Sequence, residues 1–230
     1  MQFNKLPEKP APSAAITRRG SLLSTHTVLR NTYFLLSLTL LFSALMTAVS
    51  VSINAQPGLI ITLVGVFGLM FLTIKLRNSA WGLVSIFAFT GFLGFCMGPL
   101  INFYLKSYVN GGQLIMTALG GTGVIFFTLS AYVLLTRKNF NAIGGFLFVG
   151  LIVAIVAVIA NLFLKIPGLQ LAISAALVLI FSGFILYDTS RIINNGERNY
   201  IMATIALYLD IVNLFQNLLL LLGALSGNRN

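Results

Sequence analysis

Charged residues are scarce in this sequence: they make up 8% of its 230 residues, whereas 58% are hydrophobic and the mean hydropathy is +0.97. A soluble domain carries about 25% charged residues, so a surface this poor in charge would not stay dissolved in water. Seven spans of about 20 residues with short loops use nearly all of this length, which leaves no stretch for a separate soluble core. The composition therefore predicts a polytopic membrane protein.

Cysteine and histidine are nearly absent, with one of each in the chain. Cys96 lies inside an apolar run and has no second cysteine with which to form an intramolecular disulfide. Cys96 and His26 together cannot supply the three or four protein ligands of a zinc site, which argues against a metalloprotease. No evident Cys–His or Ser–His pairing predicts a hydrolase either.

Acidic residues are also few, with 4 Asp+Glu against 14 Lys+Arg and a net charge of +10. The basic residues stand singly or in pairs between apolar runs, with no basic patch and no interleaved aromatic residues, so we predict no nucleic-acid partner. The excess of positive charge is explained by loop residues that orient the protein in the membrane and contact anionic lipid.

Seven apolar runs are separated by short segments of turn residues and charges, as expected where a helix leaves lipid. Such runs predict an all-α fold, because strands of a membrane barrel alternate with a period of two residues and these do not. Residues 1–30 are expected to form a flexible basic tail that becomes helical near Ser21, residues 31–223 the seven-helix domain, and residues 224–230 a short C-terminal tail. The predicted spans are Asn31–Ile53, Gly58–Ile74, Ala80–Phe103, Gln113–Leu135, Ala142–Leu164, Leu169–Tyr187 and Ala203–Leu222.

Lys and Arg are distributed unevenly between the two ends of the predicted spans. Eleven lie in the N-terminal segment and in the loops after spans two, four and six, and three lie at the opposite end. The excess predicts a cytoplasmic N-terminus and, after an odd number of spans, a periplasmic C-terminus in a bacterial inner membrane.

Glycines within the spans predict close helix packing, most clearly in the Gly94-Phe-Cys-Met-Gly98 step of span three. Pro99 follows directly and is expected to kink or end that helix.

Two of the four acids lie within apolar spans. Glu8 and Glu197 fall in the tail and in a loop, where solvation is sufficient explanation, but Asp188 and Asp210 lie in spans six and seven. Each costs about 2.5–3.5 kcal/mol to insert at a helix centre. Ionisable residues inside a membrane are candidates for function.

Asp188 and Asp210 are expected to meet, since spans six and seven run antiparallel and are joined by a short loop. If the helices end near Ile193 and restart near Tyr200, the two residues lie about 8 Å and about 15 Å from those ends. Two carboxyl groups in a dry site cannot both ionise easily, so such a pair could hold a proton, hold a cation or perform acid–base hydrolysis. The alternative is that each acid is neutralised separately, for example Asp188 by Arg191 one turn on, with no transport role.

The sequence resembles the seven-span Bax inhibitor family, and within it the YccA-like bacterial branch, over about residues 20–226. The segments that carry the resemblance are Ser21-Leu-Leu-Ser-Thr-His26 through Leu29-Arg-Asn-Thr-Tyr-Phe34, Gly82-Leu-Val-Ser85, Gly94 to Gly98-Pro99-Leu-Ile101, Ala118 to Phe126, Tyr187-Asp188-Thr189, and Leu207-Tyr-Leu-Asp210 with Asn213-Leu-Phe215.

The resemblance implies six helices around a central seventh and a proton-sensitive leak of cations, chiefly calcium, through a carboxyl pair that falls on Asp188 and Asp210. It implies a basic latch at the cytoplasmic end of span two, where Lys75 or Arg77 stands. For the YccA-like branch it also implies association with the membrane protease FtsH, as a modulator or substrate. No permanent metal or other cofactor is expected, with calcium a transient ligand of the pair.

Two other functions compete with this interpretation. The first is a membrane protein that acts only through protein interactions and conducts no ions. The second is an intramembrane aspartyl protease, since Tyr187-Asp188 fits such enzymes; however, Asp210 follows Tyr208-Leu209 rather than their Gly-x-Gly-Asp sequence. We therefore predict that the protein is not an enzyme.

Overall fold

The computed structural model describes the backbone of residues 12–194 and 196–227, and their side chains except those of residues 12–26 and 167. Seven helices in this part of the chain are long and apolar enough to span a membrane. In chain order they are α1 (Pro12–Ser52), α2 (Leu59–Leu76), α3 (Trp81–Ser107), α4 (Gly111–Thr136), α5 (Gly144–Leu164), α6 (Pro167–Ile193) and α7 (Tyr200–Ser226), with a short 3₁₀ turn at Asn141–Ile143 before α5. The seven predicted spans are confirmed.

Helix α7 is the centre of the bundle. It packs against α1, α3, α4 and α6, whereas α2 packs on α3 and α5 packs on α6. Leu207, Tyr208, Leu214 and Leu219 of α7 are fully buried. Apolar side chains of α2 and α5, such as Ile60 and Phe146, are more than three-quarters exposed, as suits lipid-facing helices. The predicted arrangement of six helices around a seventh is confirmed, with α2 and α5 in outer positions.

Small residues bring α1 and α3 together. A side chain at Gly94 would overlap the backbone of Ser43, and one at Gly98 would overlap Ser50. Thr47 donates a hydrogen bond to the Gly94 carbonyl oxygen at 2.7 Å. This is the close helix contact that the Gly94–Gly98 spacing predicts. Helix α3 continues past Pro99 to Ser107, so Pro99 does not end it.

Several helix ends differ from the sequence prediction. Helix α1 begins at Pro12 rather than near Ser21, because proline is tolerated in a first turn and alanines follow it. Residues 1–11 of the predicted tail lie outside the described residues, as do residues 228–230. Helix α6 continues beyond Tyr187 to Ile193, since a helix keeps its backbone hydrogen bonds after the apolar run has ended.

Helix α7 begins at Tyr200 rather than Ala203, and Asn199 explains the difference. Its side-chain oxygen accepts hydrogen bonds from the backbone N–H groups of Ile201 at 3.0 Å and Met202 at 3.1 Å, as an N-cap residue does. The Asn199 amide also donates to the Arg77 carbonyl oxygen at 3.0 Å and to Asn78 Oδ1 at 2.8 Å. The loop between α2 and α3 is thereby tied to the start of α7, at the same end of the bundle as the site described next.

Candidate functional site

Asp188 of α6 and Asp210 of α7 lie side by side in the interior. Asp188 is 9% exposed and Asp210 is 5% exposed. Their carboxyl groups are close enough to share a hydrogen bond when one of them carries a proton. The structure therefore brings together the two acids that the sequence singles out.

Helix geometry accounts for this meeting despite the different depths of the two residues. Side chains on an α-helix lean towards its N-terminus. Helices α6 and α7 are antiparallel, so Asp188 leans towards the middle of the bundle while Asp210 leans back towards the loop that joins the helices. The two carboxyl groups thus converge although their Cα positions differ by about 7 Å along the helix axes at 1.5 Å per residue.

The environment of Asp210 leaves one hydrogen-bonding position unused. Its Oδ2 atom is shut off from solvent and has no hydrogen-bond partner within the described residues. A buried polar atom without a partner is costly in a low-dielectric interior. A proton carried by Oδ2, or a cation bound to it, would satisfy it, which is the chemistry that this arrangement offers.

Arg191 is the basic partner of the pair. Its Nη1 atom lies 3.4 Å from Asp188 Oδ1, its Nη2 atom lies 3.5 Å from Glu197 Oε2, and its guanidinium lies over the ring of Tyr187 at 5.5 Å. The Arg191 side chain is one-third exposed, so it stands at the mouth of the site. Asp188 is paired with Arg191, as the alternative of separate neutralisation expects, but Asp210 faces Asp188 and has no basic partner among the described residues.

Lys75 and Arg77, the other two candidates for a latch, do not reach the carboxyl pair. Both are exposed at the end of α2, and neither forms an ion pair within the part of the chain that the structure describes. Arg77 acts instead through its backbone carbonyl, which holds Asn199. Of the three basic residues, Arg191 is the one that the structure places within ion-pair distance of Asp188.

Hydroxyl groups beside the pair were not singled out from the sequence. The Ser130 hydroxyl of α4 and the Thr189 hydroxyl of α6 lie 3.5 Å apart, and the buried Tyr33 hydroxyl of α1 has no hydrogen-bond partner within the described residues. The Ser190 hydroxyl accepts a hydrogen bond from the Phe140 N–H at 2.9 Å and so ties the loop after α4 to α6. Serine and threonine are common in apolar spans, where they bond to their own helix, so composition gave no signal that these belong to a site.

A second polar contact fixes α7 two residues before Asp210. The Tyr208 hydroxyl, fully buried, donates to the Thr90 carbonyl oxygen at 3.0 Å and lies 2.6 Å from Ser43 Oγ. Since its proton is engaged with Thr90, the Ser43 hydroxyl is the donor of the second bond. These bonds join α1, α3 and α7 and hold the backbone that carries Asp210.

The number of ligand atoms at the carboxyl pair decides how well a metal ion would fit there. Among residues 12–194 and 196–227, no three His, Cys, Asp or Glu side chains cluster as they would around a bound metal ion. Calcium takes six to eight oxygen ligands, and the carboxyl pair supplies four oxygen atoms at most. Water or backbone carbonyl oxygens would have to complete the shell of a passing calcium ion.

Comparisons with known proteins agree on the family. Residues 25–227 match the sequence model of the family described as inhibitor of apoptosis-promoting Bax1. The chain is 56% identical over 206 residues, which are 89% of this chain and 93% of the relative, to the "Modulator of FtsH protease YccA" of Escherichia coli K12. It is 54% identical to an uncharacterized protein of Pseudomonas aeruginosa, over 87% of this chain and 90% of that one. It is 46% identical to an uncharacterized membrane protein of Vibrio cholerae, over 92% and 97%. The chain belongs to the Bax inhibitor family and is a YccA-like member of it.

Proposed function

We propose that this protein is a modulator of an FtsH-type membrane protease, residing in the bacterial inner membrane. The observation that supports this function is the 56% identity, along nearly the whole of both chains, to a relative named for that role. A second relative with the same identity is named as an inner membrane protein. Residues 1–11, which precede α1 in the chain, are the part that we propose a pulling protease would grip.

The experiment for this function is co-purification from native membranes together with turnover of FtsH substrates. We expect FtsH in the eluate of the tagged full chain, and a change in the half-life of its membrane substrates when the gene is deleted. A chain without residues 1–11 separates the two forms of the proposal. If the protein is a modulator, the shortened chain should still bind FtsH. If the protein is a substrate, the shortened chain should be degraded more slowly than the full chain. Absence of FtsH from the eluate together with unchanged turnover would reject the role.

We also infer a second function, a pH-responsive leak of cations through the carboxyl pair. The observation that carries it is the burial of Asp188 against Asp210 beside the one hydrogen-bonding position of Asp210 that no described group fills. A proton and a cation compete for one such position, so occupancy by one excludes the other. In the closed site, which holds no cation, the Arg191 guanidinium occupies the position against Asp188 that a cation would take. Calcium is the cation we propose, as a passenger rather than a resident cofactor.

The leak is tested with purified protein in proteoliposomes loaded with a calcium indicator. Asp188→Asn and Asp210→Asn should each alter flux, and the double variant should add little, because the two side chains act as one site. Glu8→Gln is the matched control, since it removes an acid of the N-terminal segment that is distant along the chain from both carboxyl residues. If wild-type vesicles carry no calcium at any pH, the interaction role alone remains. We propose no catalytic reaction for the pair.

The proposed orientation puts the N-terminus and the Asp188–Arg191 end in the cytoplasm and the C-terminus in the periplasm. Its support is the excess of Lys and Arg at that end, eleven against three. An alkaline phosphatase fusion after α7 should be active, and a fusion in the loop between α4 and α5 inactive. The reverse pattern would invert the assignment.

A further inference from the structure

A cavity opens between α5, α6 and α7 at the end of the bundle opposite to the carboxyl pair. Its volume is about 670 Å³, within the range of pockets that hold small ligands. It exists because α5 packs on α6 and not on α7, so that the two outer walls stand apart. Its apolar wall includes Val158, Leu162 and Leu220.

The polar lining of this cavity has a cation and amide groups but no acid. Lys165, Asn161, Gln170 and Asn217 line it, together with the Ser174 hydroxyl. The Lys165 ammonium group has no ion-pair or hydrogen-bond partner in the described structure. Positive charge and neutral donors without a carboxylate select an anion, and they would repel a cation entering from this end.

Ser174 gives a second, independent indication of a ligand. The residue is 3% exposed and lies two turns into α6, where it lines the cavity, and its hydroxyl makes no hydrogen bond within the described residues, not even to its own helix. Serines in apolar helices bond to a carbonyl one turn back in the usual case, as Thr117 and Thr122 do here. A buried hydroxyl that lines a cavity without a partner is a donor or acceptor held ready for a bound molecule.

The N-terminus of α6 borders the same space, since Ile166 and Gln170 line it. No side chain caps this helix end. Because Pro167 has no N–H and the Ile166 N–H donates to Asn161 Oδ1 at 3.0 Å, the N–H groups of Gly168 and Leu169 are the ones that remain, and they carry the positive end of the helix dipole, which favours a phosphate group. The Lys165 ammonium group and this helix end both attract an anion.

We propose that this cavity binds an anionic phospholipid, with the phosphate at Lys165 and the start of α6 and an acyl chain along the apolar wall between α5 and α7. The apolar wall distinguishes lipid from free phosphate, which would gain nothing from it. The position at the end of two membrane-spanning helices is where a lipid headgroup lies. This site lies away from Asp188 and Asp210, so the inference does not depend on the proposed leak.

Native mass spectrometry of the full chain, titrated with phosphatidylglycerol or phosphatidylcholine in detergent, tests the proposal. The wild type should retain phosphatidylglycerol in preference to phosphatidylcholine. Lys165→Asn should weaken phosphatidylglycerol binding about five-fold, the effect of one lysine charge near an anionic lipid. Asparagine is chosen because residue 165 has a φ of 51°, a left-handed conformation that asparagine tolerates. Ser174→Ala should weaken binding as well.

Lys106→Asn is the matched control, because Lys106 lies at the same end of the bundle, bonds to Asn54 at 2.6 Å and does not line the cavity. Lys165→Arg keeps the charge and should keep the lipid, and circular dichroism of each variant confirms that it is folded. Equal binding of the two lipids, an equal loss in Lys106→Asn, or displacement of phosphatidylglycerol by millimolar inorganic phosphate would each overturn the proposal.

Discussion

Removal of the Arg191 charge is the perturbation whose size the structure sets most directly. In the proposed leak, a cation that binds Asp188 takes the place of the Arg191 guanidinium, which lies 3.4 Å from Asp188 Oδ1. The distance is long for an ion pair and the arginine side chain is 33% exposed, so screening by solvent limits its contribution to at most about 1 kcal/mol, the upper end of the surface range. Arg191→Gln should therefore raise calcium flux by up to about five-fold.

The assay is initial calcium influx into proteoliposomes that contain equal amounts of folded protein. Arg191→Lys should fall between the wild type and Arg191→Gln, because a lysine keeps the charge without the planar contact on Tyr187. Arg198→Gln removes the same charge from the same loop, where the arginine is exposed and forms no ion pair in the described residues. Unchanged flux in Arg191→Gln, or an equal increase in Arg198→Gln, would refute the reasoning.

Two further predictions concern the contacts between helices: the α1–α3 contact at Gly94 and the hydrogen bonds of Tyr208 on α7. Gly94→Ala should destabilise the protein by about 1–3 kcal/mol in an unfolding titration in detergent, because the new methyl group meets the Ser43 backbone. Gly120→Ala is its control: the new methyl group meets nothing within 4 Å, so stability should stay unchanged or rise in the same titration. Tyr208→Phe should cost about 1 kcal/mol, since two interhelical hydrogen bonds are lost and each is worth about 0.6 kcal/mol in a membrane. A double-mutant cycle with Ser43→Ala should show coupling, and additive effects would contradict the hydrogen bond.

The sequence predicts the fold well because lipid constrains it so strongly. Every backbone polar group in the hydrocarbon region must be bonded within its own segment, so each long apolar run has to be a helix. Helix ends are less constrained, since polar residues continue a helix beyond the lipid. The last six residues of α6, after Tyr187, and the cap at Asn199 are therefore visible only in the structure.

The carboxyl pair was also predictable, because acids are so few that two within apolar spans stand out. Its partner was harder to identify from sequence. Lys75 and Arg77 came from the resemblance, whereas Arg191 follows from its position one turn from Asp188, and the structure brings only Arg191 to the carboxyl group. Charge position along the sequence does not reveal which of several loop cations faces inward.

The cavity at Lys165 and Ser174 had no counterpart in the sequence analysis, in which Lys165 counts only as one of the three basic residues at the end of the spans with fewer positive charges. The site depends on the gap between α5 and α7, and such a gap arises from which helices pack together. Hydropathy reports where a helix crosses the membrane and not which neighbours it chooses.

The central functional claim is that Asp188 and Asp210 act as one site for a proton or a cation. Calcium flux measured against pH for the wild type beside Asp210→Asn, in the same reconstituted vesicles, tests it most directly. We expect the wild type to show a step in flux between acidic and neutral pH, and the variant to lose that step, because Asp188 alone has no second carboxyl group with which to share a proton. Superimposable pH profiles for the two proteins would contradict the account.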